Sequence, residues 1–326
     1  MSFHDIYGHE KKIEALRKAL TQKRIGHAYL FSGIAAVGKK TLALEFAKAL
    51  NCEKEDTLHD SCGECSSCRK IQRGSHPDIF SVKADGQLIR IDAIREIQEQ
   101  MKCKPLEAKQ RVFIIDEADK MNDQAANALL KILEEPSLSN ILILITSRPY
   151  SMPPTIISRC QQIRFNPLRF DTVAKFLIDR MEIDSQNALL LASLSGGSVG
   201  RAMELNNDDV VTYRVELLEL LSTTRRDDPF SLINFASFLG RGKKEIKEGL
   251  NILNTFFRDV LIYKETGKDD MLINQDNASF ISSHASRLSG EQIIQNIALV
   301  ERAGNTIEQN VNKLLTLETM AFKLNY

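Results

Sequence analysis

Four cysteines crowd into one short stretch, spaced Cys52-x9-Cys62-x2-Cys65-x2-Cys68. Two close pairs of thiolates can converge on one tetrahedral metal, and a set of four cysteine ligands is a closed, structural zinc site. An iron–sulfur cluster uses similar C-x-x-C-x-x-C spacing and is the alternative. A set of three cysteines and one histidine, drawing on His59 or His76, is a further one. Four protein ligands leave no open coordination position, so a structural Zn2+ is expected and zinc catalysis is not. Upstream, Gly33-Ile-Ala-Ala-Val-Gly38-Lys39-Lys40-Thr41 matches G-x-x-x-x-G-K, the loop whose backbone N–H groups cradle phosphates. The position after the lysine should carry the Ser or Thr hydroxyl that coordinates Mg2+, and here it is Lys40. Thr41 does not substitute, because one step along a helix turns the side chain by about 100°. The loop therefore keeps its cradle and lacks its magnesium ligand, which predicts weak or lost binding and hydrolysis of ATP or ADP. Val112-Phe-Ile-Ile-Asp116-Glu117 supplies the matching acids: an Asp to hold Mg2+ and a Glu to polarise water. Alone, an acid ending a buried strand says little; downstream of a phosphate loop it completes a nucleotide site. Arg159, in Ser158-Arg159-Cys160, is by composition a solvated surface charge.

These residues need a scaffold, and the sequence outlines one. Apolar residues at 13, 16 and 20 predict an amphipathic helix over 9–24. Strands are expected at 27–32, 78–82, 111–115, 141–146 and 162–165, with helices at 41–50, 91–101 and 124–133 between them. Alternating strands and helices argue for βαβ units around a parallel sheet. After Asn166-Pro167-Leu168 the helical period takes over. The expectation is an α/β nucleotide-binding-like domain over 1–166 with the cysteine insert at 52–68, a small helical domain over 167–208 and an all-α domain over 209–326. The small domain would hold helices at 171–181 and 185–195 and a turn at 196–200.

At 326 residues, 43% hydrophobic and 26% charged, the chain can bury a sizeable core, which excludes global disorder. Lys and Arg balance Asp and Glu, 29 against 28 through Val210 and 14 against 15 beyond it, so neither part is a polycation built for nucleic acid. No apolar run approaches the roughly 20 residues that cross a bilayer. The N-terminus has no secretory pattern, and the expectation is a cytoplasmic protein with no membrane partner.

With the acids come Asn127-Ala-Leu-Leu-Lys-Ile-Leu-Glu-Glu-Pro136 and Thr155-Ile-Ile-Ser-Arg-Cys160. Together with His27-Ala-Tyr-Leu-Phe-Ser-Gly33 and the four-cysteine insert, they resemble the bacterial DNA polymerase III clamp-loader subunits of the AAA+ superfamily. The resemblance is detailed over about residues 5–205 and general beyond. It implies an AAA+ P-loop domain, a helical lid and a helical collar that holds a hetero-oligomeric ring. It implies tau/gamma and delta as partner subunits, the sliding clamp, and primer-template DNA met mainly through the assembled complex. Ile6, Tyr7 and Gly8 match the segment bordering the adenine. Within the family this sequence departs from the tau/gamma motor at Lys40 and at Gly200, where the motor carries a γ-phosphate-sensing Arg; Arg201 is displaced by one. The length of 326, without the long tail of a tau form, points the same way. These departures imply the stationary kind of subunit, with Asp116 and Glu117 vestigial and Arg159 acting in trans on a neighbour's ATP. The competing expectations are an active tau/gamma-type ATPase and a zinc-containing DNA-binding module. The module would need a basic recognition surface, and the sequence offers only the small cluster Arg69, Lys70 and Arg73.

Overall fold

The computed structural model describes residues 2–54, 60–84, 88–137, 139–207, 210–240, 242–309 and 311–326. They form two compact units, 1–176 with 197–200, and 177–196 with 201–326.

The first unit is built on five strands: β1 (Ala28–Gly33), β2 (Ile79–Val82), β3 (Arg111–Ile115), β4 (Asn140–Thr146) and β5 (Gln161–Phe165). All pair in parallel, in the order β2-β3-β4-β1-β5. Helices α1 (Glu10–Thr21), α2 (Lys39–Asn51), α3 (Ser66–Arg73), α4 (Ile91–Met101), α5 (Asp123–Glu134) and α6 (Pro154–Ile157) surround it. The near-continuous apolar runs of β3 and β4 are those of strands covered on both faces. The two-residue period divides each run between two cores. Val112, Ile114, Ile141, Ile143 and Phe31 face a core shared with Leu16 of α1 and Leu42 and Phe46 of α2. Phe113, Ile115, Leu142, Leu144 and Leu30 face the other, with Ile94 of α4, Leu129 and Leu133 of α5 and Ile156 of α6. Such a sheet opens its binding edge beyond the carboxyl ends of its strands. That edge is where Gly33, Asp116 and Thr146 fall: β1 and β4 are neighbours in register Ser32↔Thr146, and β3 flanks β4. This is the α/β parallel-sheet architecture that the alternation of strands and helices predicts.

The remaining elements are helical: α7 (Phe170–Met181), α8 (Ser185–Leu194), α9 (Val199–Asn207), α10 (Val210–Thr223), α11 (Pro229–Phe238), α12 (Lys243–Thr266), α13 (Ala278–Arg287), α14 (Gly290–Glu308) and α15 (Lys313–Lys323). Among the described residues no strand follows Phe165. In the second unit α12 is the central rod. Its buried residues Ile246, Leu250, Leu253, Phe257 and Val260 recur at helical spacing along one side, and α13 and α14 pack on it while α11 packs on α15. Gly267 closes α12 in the left-handed conformation, φ 65°, donating its N–H to Tyr263 O.

Two elements differ from the sequence expectation. The cysteine insert contains a helix, α3, and α9 begins inside the expected turn at 196–200.

Candidate functional site

The phosphate loop joins β1 to α2, and its geometry is set by where its carbonyls go. Lys39 Nζ donates to Gly33 O and Ile34 O at 2.7 and 2.6 Å. Ser198 Oγ donates to Ala35 O at 2.9 Å and the Gly200 N–H to Ala36 O at 3.0 Å. His9 Nε2 donates to Val37 O at 2.9 Å, and burial lowers the His9 pKa. Gly38 O takes the Leu42 N–H of α2. With each carbonyl from 33 to 38 engaged, the curved shape of the loop is held by Lys39 and Leu42 from within α2 and by His9, Ser198 and Gly200 from outside it. Gly33 allows no side chain there: a Cβ would meet Phe165 O at 2.2 Å. Burial lowers the Lys39 pKa while Asp116 and Asp119 oppose the shift.

Lys40 turns to the acids. Its ammonium lies 3.2 Å from Asp116 Oδ2, the carboxylate that a magnesium-dependent site reserves for the metal. Glu117, in the left-handed conformation at φ 56°, pairs with Lys120 at 2.9 Å. Both acids foreseen in the sequence thus end on lysines of the same chain. The structure adds Thr146, which the sequence pattern does not single out. Its fully buried hydroxyl donates to Asp119 Oδ1 at 2.6 Å and accepts the Arg148 N–H at 2.9 Å. The available signal is one polar residue closing the apolar run Ile-Leu-Ile-Leu-Ile-Thr.

Gly200 sits against the loop so closely that a Cβ would come 2.6 Å from Ala36 Cβ. Arg201, one residue on, is held by Glu248 at 2.9 Å and Glu204 at 3.4 Å. At the other end, Ile6 packs on the first core, and the Tyr7 ring meets Phe176 edge-on at 5.2 Å. Gly8 has φ +72° and would place a Cβ 2.5 Å from Leu168, so only glycine fits comfortably there. Thr41 lies on α2 one position beyond Lys40 and is exposed.

Arg159 lies away from this loop. Its backbone is fixed between the buried Ile156 and Cys160, and its guanidinium bonds Thr155 O at 3.1 Å and Glu134 Oε1 at 2.9 Å.

The four cysteines converge. Their Sγ atoms lie within 4.8 Å of one another, with Cys62 and Cys68 at 4.0 Å. A tetrahedron of Zn–S bonds about 2.3 Å long has edges of about 3.8 Å, so the set fits one ion. Cys52 leaves the end of α2, Cys62 and Cys65 bracket a turn at Gly63, and Cys68 lies inside α3. N–H groups of Glu64 and Cys65 point at Cys62 Sγ, 3.4 and 3.3 Å away, and that of Cys68 at Cys65 Sγ. Burial works against the Cys62 thiolate, but these N–H groups and the neighbouring thiols outweigh it and bring the group down to about 7. Burial pushes Cys52 and Cys68 up. His76 is not part of the set: its Nδ1 accepts the Asp78 N–H, and burial lowers its pKa. His59 lies outside the described residues.

Residues 8–169 match the family model described as DNA polymerase III, delta subunit, and 209–325 match the model of its C-terminal part. Over 317 residues the chain is 33% identical to DNA polymerase III subunit delta′ of Bacillus subtilis (strain 168), covering 96% of this chain and 94% of that one. The chain belongs to the DNA polymerase III delta′ family. The chain is also similar to tau subunits. It is 32% identical over 291 residues to subunit tau of the same bacterium, covering 80% of this chain and half of that one. It is 32% identical over 216 residues to subunit tau of Escherichia coli (strain K12), covering 65% of this chain and 33% of the relative. Of these three relatives, the one matched along almost its full length is subunit delta′.

Proposed function

We propose that this chain is the stationary subunit of a DNA polymerase III clamp loader, helping to load the sliding clamp onto primed DNA with ATP that its neighbours hydrolyse. The observation that carries the reading is the Lys40–Asp116 pair. A lysine ammonium takes up the carboxylate that would bind magnesium, so the chain's own nucleotide site lacks both metal ligands. The packing of Gly200 on Ala36 supports the same conclusion, since it leaves no side chain from that position to sense a γ-phosphate. ATP or ADP is then held weakly or not at all.

Cys52, Cys62, Cys65 and Cys68 hold a single structural Zn2+. The close approach of the four sulfurs favours one ion over a multinuclear iron–sulfur cluster. The zinc folds the insert and supplies no catalysis. Residues 167–208 act as the lid and 209–326 as the collar, joined with tau/gamma and delta in a hetero-oligomeric ring in the cytoplasm. No helix of the described residues is long and apolar enough to cross a membrane. Primer-template DNA is met mainly by the assembled ring. Arg159 acts in trans: its guanidinium supplies charge to the phosphoryl-transfer transition state in the adjoining ATPase subunit, an effect worth about 10³–10⁵ in rate where it has been measured.

The test is a ring reconstituted with Arg159→Ala in this subunit and wild-type partners. The variant should fold and assemble, because a half-exposed side chain leaves no cavity when truncated. DNA- and clamp-stimulated ATP hydrolysis should fall in the one site it borders, with turnover reduced more than ATP affinity. Wild-type clamp loading and ATPase rates would sink the assignment of Arg159.

A further inference from the structure

Two acids end α5: Glu134 is its last residue and Glu135 follows, before Pro136. The C-terminus of a helix carries a partial negative charge, so acids there are misplaced by helix electrostatics alone. Lys131 is the only basic residue of the last turn. Glu134 nevertheless meets a cation, because α6 packs on α5 through Ile156 and Leu129 in one core and brings Arg159 against it. The guanidinium is held at two different nitrogens. One N–H group faces Thr155 O at 3.1 Å, within its own turn, and the other terminal nitrogen faces Glu134 Oε1 at 2.9 Å. A long side chain on the surface ordinarily samples many rotamers. This one is fixed from both sides, while 38% of it stays accessible.

We propose that Glu134 is a positioning residue for Arg159: its carboxylate holds the guanidinium in the orientation in which the outward N–H groups meet an anion of the adjoining subunit. The inference rests on the trans role of Arg159 and adds to it the group that presents the side chain. The pair is exposed, so its worth to folding is small, and its effect belongs to the geometry of a transition-state contact. Glu134 touches no substrate and acts only through Arg159.

The experiment uses the full hetero-oligomeric ring with Glu134→Ala, Glu134→Gln, Arg159→Ala and the double variant Glu134→Ala/Arg159→Ala in this subunit. Glu134→Ala should lower the stimulated turnover about three- to tenfold with the KM for ATP unchanged, as expected when only transition-state geometry is lost. Glu134→Gln keeps an acceptor oxygen and should recover most of the rate. In the double variant the Glu134 change should have no further effect beyond Arg159→Ala, since the two act as one unit. The melting temperature should stay at the wild-type value throughout. If Arg159→Ala is slow but Glu134→Ala runs at the wild-type rate or faster, or if the two losses multiply, the positioning role is overturned and the trans role survives. If Arg159→Ala itself runs at the wild-type rate, the trans role fails first.

Discussion

An ammonium group and a magnesium ion both neutralise a carboxylate, but only the metal can go on to bridge phosphate oxygens with open coordination positions. On the proposed function, Lys40 takes the place of the metal at Asp116 while leaving its charge balanced. The purified wild-type chain should show no ATP turnover. Lys40→Thr should free Asp116 and introduce Mn2+-dependent nucleotide binding, readable by calorimetry or by the spin signal of the bound ion. Turnover by that variant should remain well below the usual enzyme range of about 1–10³ per second, because Gly200 still offers no cation. Turnover in that range by the wild-type chain would replace this reading with that of an active motor. The sequence shows the missing hydroxyl at position 40 directly. It does not show the ion pair, which exists only because β1 and β3 lie on either side of β4. Thr146 is hidden in the sequence for the same reason: its role comes from Asp119, far along the chain and brought near by the sheet.

At the scale of elements, legibility follows apolar periodicity. β3 and β4 are read easily because parallel strands buried on both faces leave unbroken apolar runs. α3 escapes such a reading because Ser66-Ser-Cys-Arg-Lys-Ile-Gln-Arg73 has one aliphatic residue. Its inward side is Cys68 and Ile71, both buried, and its first turn is capped by the Cys65 sulfur, which accepts the Cys68 N–H. The helix is tied to α2 by buried polar groups: Lys48 pairs with Glu45 at 2.8 Å and donates to Gln72, and Ser61 donates to Glu45. A helix of eight residues is too short to persist unaided, so the metal should decide its order. Elemental analysis should find one zinc per chain after purification without added metal. Cys65→Ser should lose the ion and speed amide hydrogen exchange across 66–73. Exchange in the phosphate loop should stay as in the wild type, because its bonds go to Lys39, Ser198, Gly200 and His9. Iron with visible absorption in place of zinc would favour the cluster alternative.

At the scale of the molecule, each unit is fastened by a buried charged network that joins segments distant in sequence. In the second unit the buried Arg214 reaches Asp276 with both terminal nitrogens at 2.7 Å and Asn274 with Nε at 2.8 Å. Asn274 in turn donates to Asp259 of α12 at 2.7 Å. In the first unit Asp78 and Arg111, at the entries to β2 and β3, are both buried and pair at 2.9 Å. Arg111 also bonds the carbonyls of Gln100, Cys103 and Lys104, and its guanidinium lies over the Phe80 ring. No sequence pattern announces these partners, since an Asp before one strand and an Arg opening another look like ordinary strand ends.

The Asp78–Arg111 pair sets a pH window for the first unit. Burial alone would raise the Asp78 pKa, but the N–H groups of Glu107, Leu106 and Ala108 and the Arg111 guanidinium outweigh it and hold the carboxyl at about 2. An unfolded Asp titrates near 3.9. The folded group thus has the lower pKa, so its stabilisation is fully present above about pH 5 and is lost as the pH falls toward about 2. The difference of nearly two units corresponds to about 2–3 kcal/mol. Asp78→Asn leaves Arg111 buried without its counter-charge, and breaking such a pair costs about 3–5 kcal/mol. Denaturant unfolding of the transition that exposes β3, compared between wild type and Asp78→Asn, should therefore show a large gap at pH 7. That gap should narrow steadily between about pH 5 and pH 2, because only the wild type must protonate a stabilised carboxylate on the way down. A gap that stays constant over that range would mean that the Asp78 carboxylate is not the group whose charge is stabilised, and that the cost of the substitution is packing alone.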